Sequence, residues 1–177
     1  MTSGKRPTPG RPLKRAVETR KPRKTIMVFC EGKRSEPEYL DALRREPAVR
    51  DTAAVDIQVN REGGCAVPLT LVQRAVERKR QASAQDDEID EFWCVFDVEW
   101  PRNHPHLREA LDLAKANDVK VAVSNPCFEL WLILHFVAHG GWLDNDGARR
   151  LRRSHDQQMD KGVDGAIYMP LRQVATD

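Results

Sequence analysis

Three acidic residues follow two short apolar runs of the sequence. Glu31 comes directly after Lys24 to Cys30, and Asp97 and Glu99, separated by one apolar residue, follow Phe92 to Phe96. Carboxylate oxygens are the ligands that Mg²⁺ prefers, and a protein usually holds this hydrated ion through one or two of them. Bound Mg²⁺ or Mn²⁺ polarises a phosphoryl oxygen and orients an attacking water. The pattern therefore favours phosphodiester chemistry, whereas each carboxylate taken singly fits an ordinary solvated loop residue.

The two apolar runs are typical of strands that are buried on both faces. Side chains that follow parallel strands gather at the carboxyl edge of the sheet, so we expect the three carboxylates to converge there. Because strand side chains alternate between faces, Asp97 and Glu99 are expected to point to the same side. The sequence thus predicts an acidic site at one edge of a sheet.

Further strands and helices complete an alternating pattern. Strands are predicted at Ala54 to Val59 and Val119 to Val123. Helices are predicted from Ser35, a hydroxyl N-cap, to a point before Pro47, from Pro68 to about Gln81, from Leu107 to Ala114, and from Pro126 to Phe136. The last of these is apolar on nearly every side, which predicts burial. This order indicates an α/β fold with a parallel sheet covered by helices.

Three segments together resemble one protein family. Val28 to Glu36, Val95 to Glu99 and Ser124 to Trp131 are similar to the RloB-like family, a Toprim-type group found near restriction systems and in two-gene abortive-infection modules. The resemblance covers roughly residues 22–137. It implies a Toprim-like fold, with a small parallel sheet between helices, and Mg²⁺ bound by a glutamate after the first strand and an acidic pair after the third.

Carried over by position, the resemblance assigns these metal-binding and catalytic roles to Glu31, Asp97 and Glu99, with Glu at 99 where Toprim proteins more usually have Asp. Glu36 takes a position that helps hold a second metal in the related overcoming-lysogenization nucleases, although a first-turn acid also favours the helix dipole. Glu129, placed among apolar residues, requires a cation or donor nearby and is predicted at the rim of the metal site. One and two metals both remain open.

Asn125, in the same block, fits a helix N-cap with Pro126 at the first helical position. His135 and His139 are predicted to share a helix face as a packed pair rather than a zinc site, because no glutamate lies between them. His104 and His106 follow the acidic pair, and each suits either proton transfer or a plain loop. The four cysteines form no C-x-x-C pair and are predicted to be reduced core thiols: Cys30, Cys65, Cys94 and Cys127.

Charge is distributed unevenly along the chain. Residues 1–24 hold nine of the 29 Lys/Arg and one of the 27 Asp/Glu, which leaves 20 basic and 26 acidic side chains in the remainder. This Pro- and Gly-rich end predicts a disordered basic arm, which suits either contact with a nucleic-acid backbone or a solubilising tail. The nucleic-acid contacts assigned are Arg23, Lys24, Lys33 and Arg34.

The chain is divided into the arm over residues 1–23, a Toprim-like catalytic domain over 24–140 and a helical extension over 141–177, whose unfinished appearance is consistent with a shortened form. No window of ~18 apolar residues and no apolar leader are present, so we expect a cytoplasmic protein without a membrane span. The function predicted is a Mg²⁺-dependent nuclease that cleaves DNA or RNA in bacterial antiphage defence, with a partner ATPase implied by the resemblance. The alternative is a catalytically silent nucleic-acid-binding or regulatory subunit of a defence complex.

Overall fold

A computed structural model describes residues 24–52, 55–60 and 67–168, with the backbone alone at residue 48 and at residues 51, 52 and 55–60. The predicted basic arm, with Arg23, lies outside the described residues. The same holds for Cys65 and for the last nine residues of the predicted helical extension.

Four parallel strands form the sheet, in the order β2-β1-β3-β4. Their bounds are Lys24–Cys30 for β1, Val55–Asn60 for β2, Glu91–Asp97 for β3 and Lys120–Ser124 for β4. Each predicted strand is present with ends within one residue. Strands β1 and β3 are mainly apolar runs, whereas β2 alternates apolar and polar residues. The α/β fold class is confirmed.

Seven α-helices are found in the described part of the chain. They are α1 Ser35–Leu43, α2 Pro47–Thr52, α3 Pro68–Gln85, α4 Leu107–Ala116, α5 Glu129–Ile133, α6 Asn145–His155 and α7 Gly165–Tyr168, with a 3₁₀ turn at Met159–Lys161. The short helix α2 was not predicted from the sequence. Helices α6 and α7 confirm the helical character of residues 141–168.

Apolar side chains cover both faces of the sheet. Along β1, Met27 and Phe29 pack into one core, while Val28 and Cys30 pack into another. The first core is completed by α3 and α4 and the second by α1, α5 and α7. The alternation of strand side chains thus places helices on both faces, as predicted for a sheet buried on both sides. None of the helices in the described ranges is long and apolar enough to span a bilayer.

Two predicted helix starts are wrong. Ser35 is the first residue of α1 rather than its cap, and Arg34 at the N-cap position makes no side-chain capping hydrogen bond. Asn125 and Pro126 lie before α5, whose N-cap is Phe128. The carbonyls of Ser124 and Pro126 instead accept hydrogen bonds from the residues that follow β3, which keeps this segment outside the helix.

The predicted helix from Pro126 to Phe136 is shorter and less buried than expected. Helix α5 ends at Ile133, and Trp131 and Leu134 are 46% and 38% exposed. His135 and His139 both lie beyond its end, so the prediction that they share a helix face is wrong.

Candidate functional site

The carboxyl edge of the sheet opens into a cleft of about 360 Å³, which we call the acidic cleft. All five carboxylates predicted to bind metal contribute to its walls: Glu31, Glu36, Asp97, Glu99 and Glu129. It is also lined by Gly32, Ser35, Val67, His104, Phe128 and Arg149. The residues that follow β1 and β3 meet here because the two strands are parallel and end side by side. The amide of Glu31 donates to the carbonyl of Val95 at 3.0 Å and so extends the β1–β3 hydrogen bonding into the site.

Glu31 has both carboxylate oxygens engaged. Oε2 accepts a hydrogen bond from the backbone amide of Asp97 at 3.0 Å. Oε1 lies 2.7 Å from Nε2 of His104, an ion-pair separation whose angle lies outside hydrogen-bond geometry. Burial raises the pKa of Glu31, with a smaller contribution from the charge of Glu99, while the Asp97 amide and His104 act in the opposite direction.

Glu36 lies in the first turn of α1 and is only 5% exposed. Its Oε1 accepts a hydrogen bond from the amide of Gly32 at 3.2 Å. Burial raises the pKa of Glu36, and the negative charges of Glu129 and Glu31 raise it further. A Cβ atom at position 32 would overlap the Glu36 carboxylate, so any other residue there would displace this carboxylate from its present position. Glu36 thus lies in the cleft as well as near the positive end of a helix.

Asp97 is the last residue of β3, and few favourable contacts offset the burial of its carboxylate. Its Oδ1 atom is buried and has no hydrogen-bond partner. Burial raises the pKa of Asp97 to about 8, with further contributions from the charges of Glu36, Glu31 and Glu129 and a partly opposing hydrogen bond from the amide of Phe128. Because an unpaired buried carboxylate is costly, Asp97 favours either a proton or a bound cation.

Glu99 reaches the acidic cleft by a turn rather than by strand alternation. Strand β3 ends at Asp97, and Glu99 has a left-handed backbone with φ of 60°. The expected reason for its position is therefore wrong, although its expected location at the cleft holds. Its amide donates to the carbonyl of Pro126 at 2.9 Å, which fixes the turn. A non-glycine residue in this conformation carries strain, and such strain is concentrated at functional sites.

Glu129 has the cation that its burial required. Nη1 of Arg152, a residue only 1% exposed, lies 3.7 Å from Oε1 of Glu129. Arg152 also lies 3.6 Å from Asp156 and donates to the hydroxyl of Tyr168 at 3.2 Å. That hydroxyl donates in turn to Asp156 at 2.6 Å. We call Arg152, Asp156 and Tyr168 the arginine cluster, and Glu129 connects it with the acidic cleft.

The sequence analysis missed Arg152 and Arg149, both on α6. No local signal could have found them, because α6 lies far along the chain from the strands that carry the carboxylates. Arg149 is exposed and lines the acidic cleft, and the described residues offer it no ion pair. It is therefore the arginine best placed to contact an anionic ligand in the cleft.

Three of the four basic residues named from the sequence lie in the described part of the chain, and the structure does not gather these three at one site. Lys33 is exposed and is not part of the cleft wall. Arg34 pairs with Glu38 at 3.4 Å and donates to the carbonyl of Asp160. Lys24 lies at the amino end of β1, the opposite end from the cleft, and pairs with Glu91 at 3.2 Å. Their contact with nucleic acid stays a prediction.

The structure separates the four histidines considered from the sequence. His104 lines the acidic cleft, whereas His106 is exposed and pairs with Glu109 at 3.0 Å. His135 packs against the rings of Tyr39, Trp131 and Tyr168, and burial lowers its pKa. His135 is therefore a packed residue, as expected, and His104 is the one that joins the site.

Three of the four cysteines lie in the described residues, and all three are buried: Cys30, Cys94 and Cys127. Burial raises the pKa of Cys94 to about 12, and it also raises the pKa of Cys127. A raised pKa keeps a thiol protonated and poorly nucleophilic, so these residues are core thiols as predicted.

The donor chemistry of the acidic cleft fits a hard divalent cation, because oxygen ligands surround the unpartnered Asp97 Oδ1. Within the described ranges, however, no three Asp, Glu, His or Cys side chains stand together as a ready set of metal ligands. Glu31 and Glu36 are engaged in the contacts given above. Ligation by three of these carboxylates would therefore require their side chains to move closer together.

The fold and the cleft define an α/β protein with a carboxylate-lined site at the carboxyl edge of a parallel sheet. The model of the RloB-like protein family matches residues 26–174, and the chain belongs to that family. Neither the curated proteins nor the solved structures that were compared with the chain gave a match.

Proposed function

We propose that this RloB-like protein is a Mg²⁺- or Mn²⁺-dependent nuclease of the Toprim type that hydrolyses phosphodiester bonds in DNA or RNA. One observation carries the proposal: the buried Asp97 carboxylate has an oxygen without a partner and lies among other carboxylates of the cleft. Repulsion within a cluster of like charges at the carboxyl edge of a parallel sheet lowers the stability of the folded protein unless a bound ligand neutralises the charges. A divalent cation is the ligand that such oxygen donors favour.

In this proposal Glu31, Asp97 and Glu99 hold the metal, and Glu36 and Glu129 lie at its rim. A metal held there would polarise the phosphoryl oxygen and lower the pKa of the attacking water. His104 beside Glu31 is placed to accept or return a proton, since histidine exchanges protons near neutral pH. Arg149 at the cleft wall is placed to stabilise negative charge on the phosphate.

The direct test is cleavage of plasmid DNA, single-stranded DNA and tRNA with Mg²⁺, with Mn²⁺ and with a chelator. Asp97→Asn keeps the side-chain shape but removes the charge, so we expect cleavage to fall by at least about 100-fold. The matched control is Asp112→Asn on α4, whose side chain is 68% exposed and lies outside the cleft. Equal cleavage by well-folded Asp97→Asn and wild-type protein would overturn the assignment of the site.

A second candidate is a catalytically silent nucleic-acid-binding subunit of a defence complex. It is favoured by the lack of a ready set of metal ligands in the described residues. Metal-independent binding of nucleic acid without cleavage of any of the three substrates would support it.

The role in antiphage defence and the partner ATPase are proposed from membership of the RloB-like family. A plaque assay on cells that carry the gene with and without its neighbours tests the first, and co-purification with a neighbouring ATPase tests the second. Unchanged phage yield with wild-type protein and with Asp97→Asn would contradict a defence role for the nuclease site.

The basic arm is proposed to add affinity for the nucleic-acid backbone. Deletion of residues 1–23 removes eight of the 29 Lys/Arg, so affinity should fall and its salt dependence should flatten, with similar thermal stability. Unchanged affinity at low salt would leave the arm as a solubilising tail.

A further inference from the structure

Two tryptophans are exposed next to the acidic cleft. Trp100 directly follows Glu99 and is 39% exposed, and Trp142 is 73% exposed. Their rings meet edge to face, with centroids 6.1 Å apart and planes at 84°. Tryptophan is among the largest apolar side chains and is normally buried in a core or an interface. Trp142 therefore presents an open ring face that a flat ligand can cover.

Trp100, but not Trp142, lines a second cavity beside the acidic cleft. The second cavity has a volume of about 260 Å³, and Trp100 and Arg102 contribute to its wall. Glu99 and Arg149 line both cavities, so the two cavities adjoin at these residues. The amide of Asn145, the first residue of α6, donates to the carbonyl of Trp100 at 3.2 Å. This hydrogen bond holds the backbone at Trp100 against the start of α6.

The charges around the second cavity suit an anionic chain. Arg102 and Arg149 are both exposed, and neither forms an ion pair with another described residue. Of the two aspartates in the wall, Asp144 is occupied by a 2.6 Å hydrogen bond from the amide of Gly147. Asp146 is exposed, and its negative charge would repel a phosphate. Its removal should therefore have the opposite effect on binding from removal of an arginine.

We propose that Trp100 and Trp142 form a base-stacking platform for an unpaired nucleotide of single-stranded DNA or RNA. This inference rests on the proposed nuclease function and names its substrate class. Arg102 and Arg149 hold the adjacent phosphates, and the strand passes into the acidic cleft at Glu99. Nucleobases stack on aromatic side chains only where they are free of a partner strand, so the platform selects single strands over duplexes.

The test measures binding rather than cleavage. Fluorescence anisotropy follows a labelled oligothymidine strand, an abasic strand of equal length and a duplex, with Ca²⁺ in place of Mg²⁺. Trp142→Ala should weaken binding of the oligothymidine by roughly fivefold to 150-fold, the range of one stacked base. Trp142→Phe should retain most of the affinity, because phenylalanine preserves a ring face. The abasic strand should bind wild type and Trp142→Ala equally.

Matched controls separate stacking from general damage and from charge. Trp131→Ala removes a tryptophan that is 46% exposed and lines neither cavity, and it should leave affinity unchanged. Arg149→Gln should reduce the slope of log affinity against log salt by about 0.7, the value for one phosphate of a single strand. Arg80→Gln removes an exposed arginine roughly 20 Å along α3 from Val67 and should not change the slope. Asp146→Asn should tighten binding.

The outcomes are distinguishable from those of the cleavage assay. Base-dependent loss in Trp142→Ala supports the platform even where the protein cleaves nothing. Equal affinity of Trp142→Ala and wild type for the oligothymidine strand overturns the platform even where cleavage is confirmed. Equal loss on the oligothymidine and abasic strands, or wild-type protein that binds neither, also overturns it.

Discussion

Two groups of buried or half-buried ionisable side chains in the described residues, the arginine cluster and the acidic cleft, differ in whether each charge has a partner of opposite charge. In the arginine cluster, Arg152 faces Asp156 and Tyr168, and each of these polar groups has a partner. In the acidic cleft, Asp97 has an unpartnered oxygen and lies among carboxylates, and the ion pair of His104 is made with Glu31 rather than with Asp97. Glu129 lies between the two and contacts Arg152.

The difference indicates what each group of residues does. Matched charges and hydrogen bonds inside a protein hold a structure together, and removal of one partner leaves a costly unpaired charge. Unmatched like charges lower stability until a ligand neutralises them. The arginine cluster is therefore interpreted as the support of the site and the acidic cleft as the place where a ligand binds.

The largest effect is expected from loss of the central cation of the arginine cluster. Arg152→Met leaves Asp156 and Glu129 without their cation and should lower the free energy of unfolding by about 3 to 5 kcal/mol. Chemical denaturation measures the change. Arg153→Met is the matched control, because this neighbour is 65% exposed and pairs with Asp160 at the surface, so its loss should cost less than about 1 kcal/mol. Similar losses in both variants would remove the distinction between the two groups.

Divalent metal should stabilise the protein through the acidic cleft alone. At a concentration 100 times its dissociation constant, Mg²⁺ or Mn²⁺ should add about 2.7 kcal/mol and raise the melting temperature. Glu31→Gln should lose this response, and its metal-free form should melt above metal-free wild type because one repulsive charge is gone. Glu109→Gln, at an exposed site on α4, should respond as wild type does. A melting temperature that is indifferent to millimolar metal would count against a metal site.

The pH dependence of stability should expose the unmatched charge of Asp97. Aspartate in an unfolded chain has a pKa near 4, and the folded protein raises the pKa of Asp97 to about 8. Folding therefore favours the protonated form, and its contribution to stability is fully present below pH 4 and is lost as pH rises to 8. Asp97→Asn should not show this loss. Its free energy of unfolding should therefore exceed that of metal-free wild type by about 1 to 2 kcal/mol as the pH rises from 4 to 8. Denaturation at several pH values measures it, and parallel curves would refute the assignment.

The smallest effect is expected at the edge of the cleft. His104→Gln removes the group that lies 2.7 Å from Glu31, and it should lower stability by less than about 1 kcal/mol. Cleavage should fall more than stability if His104 transfers a proton, and the pH profile of the rate should change. His106→Gln, at the exposed neighbour, should change neither quantity. A rate profile that is identical in His104→Gln and wild type would exclude His104 from proton transfer.

The sequence determined the strands and the location of the main carboxylates. Continuous apolar runs identify β1 and β3 without reference to the rest of the chain, and the residues that follow them must lie at the carboxyl edge of a parallel sheet. Glu31 and Asp97 could therefore be predicted at the cleft. The demand of Glu129 for a cation also followed from its apolar neighbours alone.

Only the tertiary structure decided which residues complete the site. Arg149 and Arg152 come from α6, far along the chain from the strands, so no local pattern links them to the carboxylates. The choice of His104 over His106 depends on the contact of His104 with Glu31, a residue distant in sequence. The turn at Glu99 and the late start of α5 depend on hydrogen bonds between the segments that follow β3 and β4. Local periodicity in the sequence predicts helices and strands. Which residues become neighbours in space is decided only when these elements pack together, because contacts between distant segments produce no periodic pattern in the sequence.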